Sequence, residues 1–243
     1  MRSPMHDDSS ETRDRLDGND TPVFGPELGE FPNRDERATA AKEEGMKTGT
    51  TTVGIATEDG VVLATDMRAS AGHMVSSKDV QKVEQIHSTA ALTIAGSVSA
   101  AQSLIRSLRA EVNLYETRRS KDMSMEALST LTSNLLRSGA FFIVSPLLGG
   151  VDEDGTHVYS LDPLGGMTEE DYAVSGSGSQ YALGVLEQDY EEELSVDDAR
   201  SVAVRSIQSA VERDLASGNG INIATVTEGG VEVNRHKDIE SLL

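Results

Sequence analysis

The chain contains no cysteine. That excludes a disulfide framework, a thiolate nucleophile and any cysteine-based metal site. Aromatics are few, with five tyrosines, four phenylalanines and no tryptophan. No apolar run reaches the length of a membrane span; the longest, around Ala140 to Leu148, is interrupted by Ser145 and Pro146. The first residues, Met1-Arg2-Ser3-Pro4-Met5-His6-Asp7-Asp8, lack the apolar core of a secretory signal. These absences predict a cytoplasmic protein with no membrane partner. Positive charge is also scarce. Only six lysines (Lys42, Lys47, Lys78, Lys82, Lys121, Lys237) are present, and the formal charge is −20. Phosphate backbones need a basic surface, so nucleic acid is not expected as a partner. An acid-rich, lysine-poor, aromatic-poor surface fits concentrated salt, where repulsion is screened within about 3 Å at 1 M.

What is present divides into two parts. Residues 1–49 hold four of the six prolines (Pro4, Pro22, Pro26, Pro32), with twelve acids and seven bases. Their apolar residues follow neither a strand nor a helix period, which predicts disorder. Residues 50–243 carry a net charge of −15 and are patterned as one domain. Thr51 to Thr57 and Gly60 to Met67 read as strands joined by a short turn. Ala90 to Gly96 reads as a strand that is apolar on both faces. Helical spacing runs from Ser99 to Tyr115 and from Ser124 to Arg137. Strands return at Phe141 to Val151, Thr156 to Asp162 and Tyr172 to Ser175. Gly176-Ser177-Gly178 opens a helix reaching about Tyr190, and Ser195 caps another that reaches Leu215. Ile221 to Thr227 and Val231 to Asn234 close as a hairpin. Helices thus arrive in pairs between groups of strands, which argues against alternating βαβ units. The pattern predicts an α+β fold in which two antiparallel sheets are stacked and each is covered by a helix pair.

The chemistry centres on the junction Met46-Lys47-Thr48-Gly49-Thr50-Thr51-Thr52-Val53-Gly54, where the charged leader meets the first strand. Cleavage after Gly49 would leave Thr50 with a hydroxyl nucleophile and its own α-amine as base. Such a nucleophile needs a nearby cation to keep the amine neutral, an acid to hold that cation, and an N–H for the oxyanion. Asp66 ends the second strand, 16 residues beyond Thr50, and Lys82 lies 32 residues beyond it. Gly96 follows the apolar strand Ala91 to Ala95, where a glycine exposes its N–H to a close ligand. The histidines His6, His73, His87, His157 and His236 show no ligand spacing, and neither metal nor cofactor is expected.

At these positions the chain resembles the β-type subunits of the 20S proteasome, of archaeal and salt-adapted type, which are N-terminal-nucleophile threonine peptidases. The resemblance rests on Gly49 to Gly54, Ala64-Thr65-Asp66-Met67-Arg68, Lys82, Ala95-Gly96, Leu147-Leu148-Gly149-Gly150, Ser175-Gly176-Ser177-Gly178-Ser179 and Arg213-Asp214-Leu215-Ala216-Ser217-Gly218. It implies the four-layer αββα sandwich of Ntn hydrolases over 50–243, and a propeptide over 1–49 that is removed by autocleavage between Gly49 and Thr50. It implies that Thr50 is the nucleophile, Lys82 tunes its amine, Asp66 holds Lys82, and Gly96 supplies the oxyanion donor. Ser177, Asp214 and Ser217 would support the nucleophile. Ala69, Val80, Ile94 and Val98 would form a small apolar substrate pocket, with Glu84 close to that set in sequence. The implied partners are other β-type subunits in heptameric rings, α-type subunits, ATPase regulators and unfolded protein substrates. A two-ring bacterial peptidase of the same fold and a silent structural ring subunit are the rival readings. The Arg213-Asp214-x-x-Ser217-Gly218 motif weighs against the first, and intact Gly49-Thr50, Asp66 and Lys82 weigh against the second.

Overall fold

The computed structural model describes residues 49–141 and 143–243; the leader expected over 1–49 lies outside the described residues except for Gly49. Among the described residues, twelve strands and four α-helices follow in the order β1 (Thr51–Ala56), β2 (Val61–Asp66), β3 (Ala69–Ala71), β4 (Met74–Ser77), β5 (Val83–His87), β6 (Ala90–Thr93), α1 (Val98–Arg119), α2 (Met125–Arg137), β7 (Leu147–Asp152), β8 (Gly155–Leu161), β9 (Met167–Glu169), β10 (Tyr172–Gly176), α3 (Ser179–Asp189), α4 (Val196–Arg213), β11 (Ile221–Thr227) and β12 (Gly230–His236). One five-stranded sheet has the order β10-β1-β2-β11-β12 and the other β5-β6-β7-β8-β9, with β3 and β4 as a separate hairpin.

Strand alternation explains the layering. Successive side chains point to opposite faces. In β2, Val62 and Ala64 pack with residues of α3 and α4, while Val61 and Leu63 pack against Leu147, Val151 and Val158 of the other sheet. Both faces are buried, so Val61 to Ala64 form a continuous apolar run rather than alternating with polar residues, and polar groups enter only at Thr65 and Asp66. The second sheet behaves alike: Ala90 and Leu92 face α1 and α2, and Ala91 faces the first sheet. Helix α1 buries Ala101, Leu104, Ile105, Leu108 and Val112, a stripe at helical spacing. Full burial of a leucine in such a stripe contributes about 1.5–3 kcal/mol. Serines open three helices: Ser97, Ser124 and Ser195 accept from Ala100 N, Ala127 N and Asp198 N. The result is the expected four-layer αββα sandwich.

Several boundaries differ from the sequence reading. The strand expected from Phe141 to Val151 begins only at Leu147. Ile143 has a positive φ of 65°, and Pro146 lacks an N–H for the ladder. The chain before β7 is instead drawn across to Gly96, where Val144 forms an isolated bridge. Strands β3, β4 and β9 are short, and β4 and β9 are largely exposed, so no apolar period marks them. Helix α3 starts at Ser179, because Gly176 is still the last residue of β10. Helix α4 stops at Arg213 with Asp214 as its C-cap. Among the described residues, no helix is long and apolar enough to cross a membrane.

Candidate active site

The turn between β1 and β2 fixes the register Thr52 opposite Thr65, so the last residue of β2 comes alongside the first residues before β1. That residue is Asp66, fully buried. Its Oδ1 accepts from Thr50 Oγ at 2.8 Å, Thr51 N at 3.1 Å and Lys82 Nζ at 2.7 Å. Its Oδ2 accepts from Arg68 N and Gly218 N, both at 2.9 Å. Five donors from four segments lock the carboxylate. Lys82 enters from the residues before β5, pinned by its carbonyl accepting from Ile94 N at 2.7 Å. Its ammonium donates to both Asp66 and Thr50 Oγ. Burial pulls the Lys82 pKa below that of an ordinary lysine, and the nearby Asp66 charge offsets this only in part.

Thr50 is itself almost wholly buried. Its nitrogen is here a peptide N–H, standing where the α-amine of a chain cut after Gly49 would be. It donates to Ser177 Oγ at 3.2 Å. Ser177 Oγ lies 2.6 Å from Asp214 Oδ2 and 3.3 Å from Thr50 O. Ser217 Oγ lies 2.7 Å from the same Asp214 oxygen, and Thr51 Oγ lies 2.7 Å from Ser217 Oγ. A carboxylate only accepts and each hydroxyl has one proton. The direction of the chain is therefore set: Thr51 donates to Ser217, Ser217 and Ser177 donate to Asp214, and Ser177 accepts from Thr50 N. Gly49 packs so closely here that a Cβ on it would overlap Ala216 Cβ.

A cleft of about 380 Å³ opens over Thr50 and Lys82. Ala69, Ile94, Gly96 and Val98 line it. Gly96 has φ 106°, and a Cβ there would overlap the Ile143 carbonyl oxygen. The adjoining bridge uses Ser97 N donating to Ile143 O and Ser145 N donating to Ala95 O, both at 3.0 Å. The N–H of Gly96 takes no part in it. Val80 does not line the cleft. Its N–H donates to Met67 O at 3.0 Å and its carbonyl accepts from Asn222 Nδ2 at 3.1 Å, which turns this residue toward the β2–β11 edge. Glu84 is likewise absent from the lining and pairs with Arg109 at 3.0 Å.

Sequence reasoning missed Thr51, whose hydroxyl extends the Ser217–Asp214–Ser177 chain. It missed Ser97, Ser99 and Gln102, which add polar groups to the cleft lining beside the apolar ones. It also missed Arg68, whose guanidinium donates to Asn219 Oδ1 at 2.9 Å and Leu215 O at 2.7 Å and so clasps the loop carrying Ser217. Two of these had a signal: Thr51 directly follows the candidate nucleophile, and Arg68 closes the Ala64-Thr65-Asp66-Met67-Arg68 motif.

Comparison with known proteins gives a consistent result. The family model described as "Proteasome subunit" matches residues 46–226. The chain is 68% identical, over the whole length of both proteins, to "Proteasome subunit beta" of Haloquadratum walsbyi and to that of Haloferax volcanii. It is 58% identical over 221 residues, covering 90% of each chain, to "Proteasome subunit beta 1" of Haloarcula marismortui. The chain therefore belongs to the proteasome subunit family, among its β-type members.

Proposed function

We propose that this chain is a threonine-type endopeptidase that releases its own nucleophile. The observation that carries the reading is the placement of Thr50 Oγ between the Lys82 ammonium and the Asp66 carboxylate at the start of β1. In the precursor, Thr50 Oγ attacks the Gly49 carbonyl carbon. The C–N bond breaks as the acyl group moves to oxygen, and water hydrolyses that ester. Residues 1–49 depart with a new carboxyl terminus, and Thr50 keeps a free amine. In the mature chain that amine accepts the hydroxyl proton as Oγ attacks a substrate carbonyl. The Lys82 charge disfavours a second positive charge beside it, lowering an amine pKa that is ordinarily about 7.7–8.0. The Gly96 N–H receives the developing oxyanion. The amine's proton passes to the leaving nitrogen, and water then releases the acyl group. Asp66 holds Lys82, and Ser177, Asp214 and Ser217 hold the α-nitrogen. Ala69, Ile94 and Val98 favour apolar residues before the scissile bond, with modest discrimination.

The family and the relatives' names support assembly into rings with other β-type and with α-type subunits, enclosing the site. Unfolded protein is then the substrate, delivered by ATPase regulators in the cytoplasm. The test is intact mass and N-terminal sequencing of the protein from its native cells. A start at Thr50 is expected, and Thr50→Ala should leave the leader attached and abolish peptide hydrolysis. An assembled particle whose subunit still begins near Met1 would make it a silent ring member.

A further inference from the structure

On the face away from Thr50, three side chains from three elements converge. They are His87 at the end of β5, Glu116 in the last turn of α1, and Asp122 in the α1–α2 connection; one ligand atom from each lies within 4.8 Å of the others. His87 is 8% exposed. Its Nε2 and the Glu116 Oε1 are both buried, and neither has a hydrogen-bond partner among the described residues. They stand 2.9 Å apart, an ion pair only when the imidazole is protonated, and make no hydrogen bond. Buried polar atoms are normally satisfied, so two orphans side by side call for a third party. Two ligand atoms each about 2.1 Å from a tetrahedral ion lie about 3.4 Å apart, so the pair at 2.9 Å would open by about half an ångström to admit one.

We propose that His87, Glu116 and Asp122 bind a divalent transition-metal cation, with zinc as the reference ion. One imidazole nitrogen and two carboxylates form an N/O donor set that suits zinc and its neighbours better than magnesium or calcium. Ser88 Oγ and Thr89 Oγ lie 3.4 and 3.2 Å from His87 Nδ1, placed to accept its proton in the tautomer that leaves the Nε2 lone pair for an ion. Thr89 N–H aims at the same Nδ1 at 3.2 Å. That donor favours the opposite, metal-free tautomer and moderates the affinity. The C-terminal end of α1 adds the negative pole of its dipole. Exposed Asp122 leaves a coordination position open to water, through a hollow of about 520 Å³ rimmed by Asp152, Glu153, Asp154 and Glu228. Lys121 lines the same hollow but leans toward Glu153, 3.9 Å away. The ion would tie the end of β5 to the turn between α1 and α2, a structural staple remote from peptide hydrolysis.

Metal-stripped full-length chain, in chloride salt and dialysed against zinc chloride, provides the test. One zinc per chain and a raised Tm are expected. Glu116→Gln and Asp122→Asn should each weaken uptake by at least the about tenfold that loss of an outer-shell partner costs, with the peptidase activity of the processed, assembled protein unchanged. The rim variant Asp154→Asn should bind as the parent does. Excess magnesium should leave the zinc in place. Absent saturable uptake, unaltered binding in both ligand variants, or displacement by magnesium would each overturn the proposal, the last by reducing the site to an acidic patch.

Discussion

Replacing Lys82 with alanine removes the ammonium that bridges Asp66 and Thr50 Oγ. Asp66 would retain N–H donors from Thr51, Arg68 and Gly218, so the fold should survive while turnover falls. A loss of about 100- to 10,000-fold in kcat is expected, the range for a group that manages a proton. Normal turnover in a folded Lys82→Ala protein would remove this lysine from the mechanism. Gly96 makes a different demand. Its φ of 106° and the Ile143 carbonyl oxygen leave no room for a methyl group. Gly96→Ala should lower both Tm and activity, and retention of both would show that the β6–α1 corner relaxes freely.

At the level of elements, the exposed strand β9 is tied to β8 by His157. Its Nδ1 lies 2.6 Å from Glu169 and its Nε2 3.1 Å from Asp152. Burial alone would pull the imidazolium pKa down, but the hydrogen bonds and charges of Glu169 and Asp152 outweigh it and the net shift is upward. A raised folded-state pKa contributes stability that is complete below the unfolded value of about 6.5 and disappears as pH climbs through the folded one. The Tm gap between the parent and His157→Gln should therefore be larger at about pH 6 than at about pH 9. A gap that does not change with pH would mean that the clamp works through packing. Elements also limited what could be read in advance. Helices α1, α2 and α4 were legible because each has a serine cap followed by an apolar stripe. Strand β5 was not, because Glu84 and Gln85 break the apolar period that Val83 and Ile86 begin.

For the whole molecule, the charge of −20 is the dominant fact. Like charges spread over one small surface repel, and screening shortens their reach from about 10 Å at 0.1 M to about 3 Å at 1 M salt. Tm should rise between about 0.1 M and about 1 M potassium chloride, and assembly should strengthen in parallel. Equal stability and assembly at both concentrations would mark the acidity as incidental.

The sequence by itself determined the layers and the order of the candidate site residues. Period and capping are local properties, and strands buried on both faces show runs of apolar residues such as Val61 to Ala64. It also brought Thr50 and Asp66 together, since a hairpin of regular length returns the end of β2 beside the start of β1, whereas Lys82 reaches them only through the packing of the segment before β5 against Ile94. Tertiary structure alone decided the rest. Val80 was expected at the substrate cleft, but its backbone is held by Met67 and Asn222, partners 13 and 142 residues away along the chain. Thr51 joined the polar chain only because Ser217, 166 residues on, folds back to meet it. The proposed metal ligands follow the same rule. His87, Glu116 and Asp122 have no motif spacing because a strand, a helix and a loop each contribute one of them. Pairings of this kind depend on how elements pack, and no local periodicity records that.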